Sequence, residues 1–353
     1  MSATFARRFR RADGRAAATI RELLDAPGAG DRFGEGDREG NRVGETDRED
    51  NRAGESAAQR LDPLGVRAAW HGEESPRTCF RGIERVPCAA DPAPSAAPLD
   101  EALLAATARA FRSSGGGGAA LALSGGLDSA LILAWARELG LAPPVYVLAA
   151  DLGAPDYDER AAACALARRF GVEPIVIEAR EDDFVAALPT CVRAVETALY
   201  NPHPVARYLL ARRAAADGVE VLVTGDGADQ IFAGVSGADY LPLVGALSAA
   251  CGVLPQSPFL DEAVIACARA APPDADKSRL RAIARRWLPE SIARAPKLAR
   301  LTPPLDLSRH WDRARAERLA AQLGAPLALD GDRARVRWTT LLLLCEQFAI
   351  GLD

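Results

Sequence analysis

The stretch "LALSGGLDSALI", residues 121–132, packs two glycines, two serines and one aspartate between two apolar runs. A short apolar run, a glycine-rich turn and a longer run with helical spacing together read as a strand–turn–helix unit. At such a turn Gly125 and Gly126 let the backbone approach anionic oxygens, and the amino end of the following helix favours an anion. Ser124 and Ser129 add hydroxyl donors. Asp128 is the odd member: a carboxylate beside phosphates repels them unless a divalent cation lies between, so it reads as a Mg²⁺ ligand. The phosphate-loop pattern G-x-x-x-x-G-K-S/T is absent together with its lysine, which counts against γ-phosphoryl transfer of that class.

Working outward, the pattern repeats. "AALALS" (119–124) reads as a buried strand, 128–139 as a helix, "VYVLAA" (145–150) as a strand and 158–171 as a helix closed by glycine. "EPIVIEA" (173–179) is a third strand, helices occupy about 181–216, and "VEVLVTG" (219–225) is a fourth strand; from 258 onward the chain reads as mostly helical. Short apolar strands alternating with helices predict an α/β fold, a parallel sheet with helices on both faces and a mostly helical C-terminal part. Ligands of such sheets bind at the carboxyl ends of the strands, where both "SGGLDS" and "GDGADQ" lie.

Ahead of this unit the chain divides differently. Residues 1–25 read as an N-terminal arm, in part helical. Residues 26–60 hold a decapeptide repeat ("RFGEGDREGN", "RVGETDREDN", then "RAGES") too polar to offset its ordering entropy, and so are expected to be disordered. Residues 61–98 read as a short remnant of strands or turns ending in a Pro/Ala linker, and 99–353 as the main domain.

Composition narrows the partners. The net charge is −5, and the 43 basic residues form no stripe interleaved with aromatics, which argues against nucleic acid. The seven cysteines are scattered singly, without the pairing that a zinc or thiol-redox motif needs, as expected of buried thiols in a reducing cytoplasm. No apolar run reaches membrane-spanning length and no signal peptide opens the chain, so the expected location is cytoplasmic, away from membranes. Lysine occurs only at 277 and 297, the other basic residues being arginine, so each lysine stands out.

"SGGLDS" resembles the pyrophosphate loop of the N-type ATP pyrophosphatases, whose fold is adenine nucleotide alpha-hydrolase-like. "LVTGDGADQIFAG" (222–234) with "PFLD" (258–261) is similar to the synthetase domain of the asparagine synthetase family, which includes β-lactam synthetases and lasso-peptide cyclases. "YDER" (157–160), Glu196 and, more weakly, "FRGIERVP" (80–87) fit as well. The resemblance implies an AMP-forming amide synthetase using ATP and Mg²⁺. A small-molecule or peptide carboxylate would be activated as an acyl-adenylate and coupled to ammonia or an amine. It implies that Leu123, Ser124, Gly125, Gly126, Asp128, Ser129, Val147, Gly225 and Asp226 hold ATP and pyrophosphate. Asp128 and Asp229 would hold the metal, and Lys297, in an R-x-K-like segment, would be catalytic. Lys277 echoes the family's K-x-x-L-R and is a structural or phosphate-neighbour candidate.

Departures from the family limit what carries over. Residue 2 is serine where complete members carry a catalytic cysteine, so ammonia is expected free, from a separate glutaminase, or as an amine of the substrate. Leu254 and Gln256 stand where the family has an acid and an arginine ahead of "PFLD", and Gln230 replaces a glutamate, so asparagine is not the assured product. His203, between two prolines, is expected to start a helix; Arg207 and Tyr208 on that helix are within reach of the acceptor, with a surface role the preferred reading. Two other readings compete: a catalytically reduced nucleotide-binding subunit of a maturation or biosynthetic complex, and another ATP pyrophosphatase such as an RNA-modifying enzyme.

Overall fold

The computed structural model describes residues 9–11, 15–25, 60–71, 78–81, 83–85, 92–112, 118–152, 158–233, 240–295 and 304–350. The repeat segment 26–60, apart from Arg60, and Lys297 lie outside them. The N-terminal part contains β1 (Phe9–Arg11), β2 (Ala16–Ala17), α1 (Ile20–Asp25), α2 (Pro63–His71), β3 (Ile83–Arg85) and α3 (Leu99–Arg112). The α/β part follows with β4 (Ala119–Ala122), α4 (Leu127–Glu138), β5 (Val145–Asp151), α5 (Arg160–Arg169), β6 (Ile175–Arg180), α6 (Glu181–Val195), α7 (His203–Ala216), β7 (Val221–Val223), α8 (Ala228–Phe232), α9 (Tyr240–Ala250) and β8 (Leu254–Gln256). Helices α10 (Glu262–Ala268), α11 (Ser278–Ala284), α12 (Glu290–Ala293), α13 (Arg313–Leu323) and α14 (Asp332–Gln347) complete it.

Five parallel strands form the central sheet in the order β6-β5-β4-β7-β8. Strand alternation explains why helices cover both faces. On β4, Leu121 points into a core shared with α3, α4, α5 and α10, whereas Ala120 and Ala122 pack on the other face with Leu210 and Ala214 of α7. Helix α4 is buried along its whole middle, Ala130 to Ala136, and Trp135 at its end packs against Phe259 and Trp287. The fifth strand, β8, was not expected. It is three residues long with Pro255 in the middle, a residue tolerated there because β8 is an edge strand.

The N-terminal part departs from the sequence reading. Residues 9–11 and 16–17 are short antiparallel strands, joined by β3 into a small three-stranded sheet, and among the described residues of the arm 20–25 are helical. Where 61–98 was read as strands or turns, α2 forms. Its start is written locally: Asp62 Oδ1 accepts the backbone N–H groups of Leu64 and Gly65, and Pro63 occupies the first helical position. Phe9, Ile20, Leu61, Phe80 and Ile83 enter the same core as α6 and α14, so this region completes the main core rather than standing apart. Glu196 fastens it, its carboxylate accepting the N–H groups of Ile20 (2.8 Å) and Arg21 (3.0 Å).

Candidate functional site

Strands run outward from β4 to β5 and β6 on one side, and the chain then returns to place β7 and β8 on the other. The strand order therefore reverses between β4 and β7, and the crevice at their carboxyl ends is where such sheets bind ligands. "SGGLDS" leaves β4 and "GDGADQ" leaves β7, so the topology sets the two turns side by side.

Their approach depends on glycine at two positions. A Cβ on Gly225 would lie 3.0 Å from Asp128 Cβ and 3.2 Å from the Ser129 nitrogen, so a side chain there would force the two turns apart by a few tenths of an ångström. Gly227 has φ +94°, and a Cβ there would meet Leu260 Cδ2 at 2.4 Å. In the first turn the Ser124 N–H donates to Ser129 Oγ at 3.1 Å, and the two hydroxyls are 3.1 Å apart. Ser129 is buried, and Gly126 caps α4 in an extended conformation without a side-chain cap, so the helix's amino end is left for a ligand.

Asp128, in the first turn of α4, and Asp229, in the first turn of α8, converge on one point, and Lys277 occupies it. Its Nζ donates to both carboxylate oxygens of Asp128 at 2.8 Å and lies 2.7 Å from Asp229 Oδ1. The lysine side chain is only 7% exposed, and its backbone is left-handed, φ 51°. The loop carrying it hangs from α8 through Asp274 N–H to Phe232 O, and Asp274 caps the start of α11 at Ser278. The ammonium is thus a stand-in for a cation between these acids. Among the described residues no group of three or more His, Cys, Asp or Glu side chains gathers as a metal site. Two carboxylates nevertheless suit Mg²⁺, which takes one or two from the protein and the rest of its oxygens from phosphates and water.

Beside this point a cavity of about 90 Å³ is lined by Leu123, Ser124, Val147, Leu148, Glu159 and Arg207 among others. Val147, the third of the seven residues of β5, is itself a buried core residue, so its side chain serves packing while the strand lines the cavity. Arg207 corrects the sequence reading: it is no surface residue. Its Nη2 donates to Asp226 Oδ1 at 2.8 Å and its Nε to the Tyr240 hydroxyl at 3.0 Å. Burial pulls the guanidinium's pKa down, but Asp226 and Tyr240 outweigh it and the net shift is upward. His203 starts α7 as expected and also lines the cavity.

The aspartate of "PFLD" does structural work. Asp261 caps α10 through the Ala263 N–H and pairs with Arg109 at 2.8 and 2.9 Å. The link from this segment to the site is Ser257, whose hydroxyl donates to the Asp226 carbonyl at 2.6 Å. The structure therefore brings Ser124, Gly125, Gly126, Asp128, Ser129, Gly225, Asp226 and Asp229 together. It adds Lys277 as their central cation and Arg207 and Tyr240 beside them. Of these, Arg207 and Tyr240 carried no sequence motif; Lys277 had two signals, the rarity of lysine and its echo of K-x-x-L-R.

A parallel sheet with two glycine-rich turns at its reversal point is the architecture of a nucleotide-binding α/β protein. Residues 98–244, which hold both turns, match the family model for asparagine synthase. The chain is 33% identical over 112 residues to proteins of Mycobacterium tuberculosis and Mycobacterium bovis provisionally named glutamine-hydrolyzing asparagine synthetases. That match covers 32% of this chain and 17% of those proteins, so the chain matches less than a fifth of their length. Solved structures similar to the chain include the NMN synthetase of Francisella tularensis (14% identity, TM-score 0.38, covering 71% of this chain and 93% of that one). Another is the NH3-dependent NAD synthetase of Campylobacter jejuni (16% identity, TM-score 0.35, 64% and 83%). Among the described residues no helix is long and apolar enough to cross a membrane.

Proposed function

We propose that the protein is an ATP-dependent, AMP-forming amide synthetase. The observation that carries this reading is the convergence of Asp128 and Asp229, from turns leaving adjacent strands, on a single buried cation position next to the serine hydroxyls of "SGGLDS". A kinase of the phosphate-loop type would need a lysine in that turn; here the turn offers hydroxyls, N–H groups and a carboxylate.

In this reading a substrate carboxylate attacks the α-phosphorus of ATP, the bond to the bridging oxygen breaks, and pyrophosphate leaves with its electron pair. Ammonia or an amine then attacks the acyl carbon, sheds a proton and expels AMP. Ser124 and Ser129 donate to the departing pyrophosphate, and the backbone of Gly125 and Gly126 lies close against it. Mg²⁺ held by Asp128 and Asp229 would neutralise charge developing on the leaving group. Leu123, Val147, Gly225 and Asp226 shape the nucleotide cleft around these groups, and Lys297 supplies a cation to the acyl transfer. The nitrogen comes as free ammonia, from a separate glutaminase, or from an amine on the substrate.

The test is ATP–pyrophosphate exchange against a panel of carboxylic acids and short peptides, with ammonia or amines added to capture the amide. Exchange that depends on one acid, and that is lost in Asp128→Ala, is the expected result. No exchange with any acid, together with no Mg-ATP binding by calorimetry, overturns the proposal.

A further inference from the structure

Two like-charged side chains held at one point need a cation, and the fold supplies its own. Lys277 Nζ donates to both oxygens of Asp128 at 2.8 Å and forms an ion pair with Asp229 Oδ1 at 2.7 Å. Its place is fixed from both ends: Lys277 N–H donates to Asp274 O, and Asp274 N–H to Phe232 O at the end of the helix that carries Asp229. A divalent ion bound by the same oxygens at about 2.0–2.1 Å and this ammonium compete for one position. Lys277 is buried, so a metal ion arriving alone would have to break the ammonium's pairing with both carboxylates inside the protein.

We propose that Lys277 is a displaceable internal counterion. It holds Asp128 and Asp229 in register while no nucleotide is bound, and gives way to Mg²⁺ only when phosphate oxygens arrive to take over the ammonium. Metal and triphosphate then bind as one unit, and metal alone binds weakly. This rests on the reading of Asp128 and Asp229 as metal carboxylates.

The experiment uses the full chain and Mn²⁺, followed by calorimetry and by the electron paramagnetic resonance of the free ion, in the absence of substrates. For the native protein, Mn²⁺ alone is expected to bind at least about tenfold more weakly than to Lys277→Met. In Lys277→Met, added Mg²⁺ should raise Tm, and the double variant Asp128→Asn/Lys277→Met should lose both effects. Unchanged Mn²⁺ affinity in Lys277→Met overturns the proposal. So does micromolar binding of Mn²⁺ alone to the native protein, a measurement that needs no variant to fold. Absence of bound Mn²⁺ even with a non-hydrolysable ATP analogue would instead remove the metal reading itself, so the two failures are distinct.

Discussion

The Arg207 guanidinium donates to Asp226 Oδ1 over 2.8 Å, while the other oxygen of that carboxylate is buried with no hydrogen-bond partner among the described residues. Asp226 therefore leans on one cation. Removing it in Arg207→Ala leaves a buried charge uncompensated, at a cost of about 3–5 kcal/mol. Urea unfolding should show this loss. In a double-mutant cycle, Asp226→Asn should recover at least about 1 kcal/mol of it; strictly additive losses would mean that the two side chains do not depend on each other.

Gly225 sets the spacing of the two turns. A methyl group there meets Asp128 Cβ at 3.0 Å and the backbone of Ser129 at 3.2 Å, neither of which is a flexible tip. Gly225→Ala is expected to cost about 1–3 kcal/mol and to reduce pyrophosphate exchange by more than its effect on folding accounts for. Gly118, around which nothing lies within 4 Å, provides the contrast: Gly118→Ala should change stability by no more than about 0.5 kcal/mol. Equal behaviour of the two variants in both assays would show that the close approach is immaterial.

Trp135, on the helix that follows the "SGGLDS" turn, is fully buried and packs against Phe259 and Trp287. Trp135→Ala should lose about 3–5 kcal/mol in denaturant unfolding, and Trp135→Phe distinctly less. A loss below about 1 kcal/mol for the alanine variant would contradict the packing described.

Acid should loosen the loop that carries Lys277. Hydrogen bonds from the Ser278 backbone N–H, then from its hydroxyl, hold the Asp274 carboxyl below the ordinary range. A carboxyl whose folded pKa is depressed stabilises the folded state above its unfolded pKa, near 3.9, and that contribution is lost as pH falls through the lower folded value. After correction for intrinsic rates, amide exchange at Ser278 should stay protected from about pH 7 to 5 and rise below about 4. In Asp274→Ala it should be fast throughout, and a native profile in that variant would show that the cap is idle.

The sheet and both turns were legible because their signals are local: apolar runs of strand length, glycine at the turns and helical spacing after them. Asp128 stood out by charge logic applied to its turn, and Asp229 by the family resemblance of the second turn. The preferred surface reading of Arg207 failed because this one polar side chain of α7 turns inward to Asp226 and Tyr240, partners 19 and 33 residues away that no periodicity reveals, whereas Arg212 and Arg213 on the same helix are exposed. Helix α2 was missed although its cap, Asp62 followed by Pro63, is written in the sequence; a nine-residue helix with scattered apolar positions gave too weak a period beside that cap. Strand β8 escaped because three residues containing a proline look like a loop until β7 lies beside them.

The carboxylate of Glu196 that receives Ile20 and Arg21 joins residues 176 and 175 positions apart, and Arg21 also donates to the carbonyl of Gln347, 326 positions away. During synthesis the arm leaves the ribosome well ahead of its anchors, Glu196 being made about 175 residues later and Gln347 326 positions later. Ordering residues 20–25 must wait for loops that long to close. The beginning of this chain is thus among the last of its parts to be held in place.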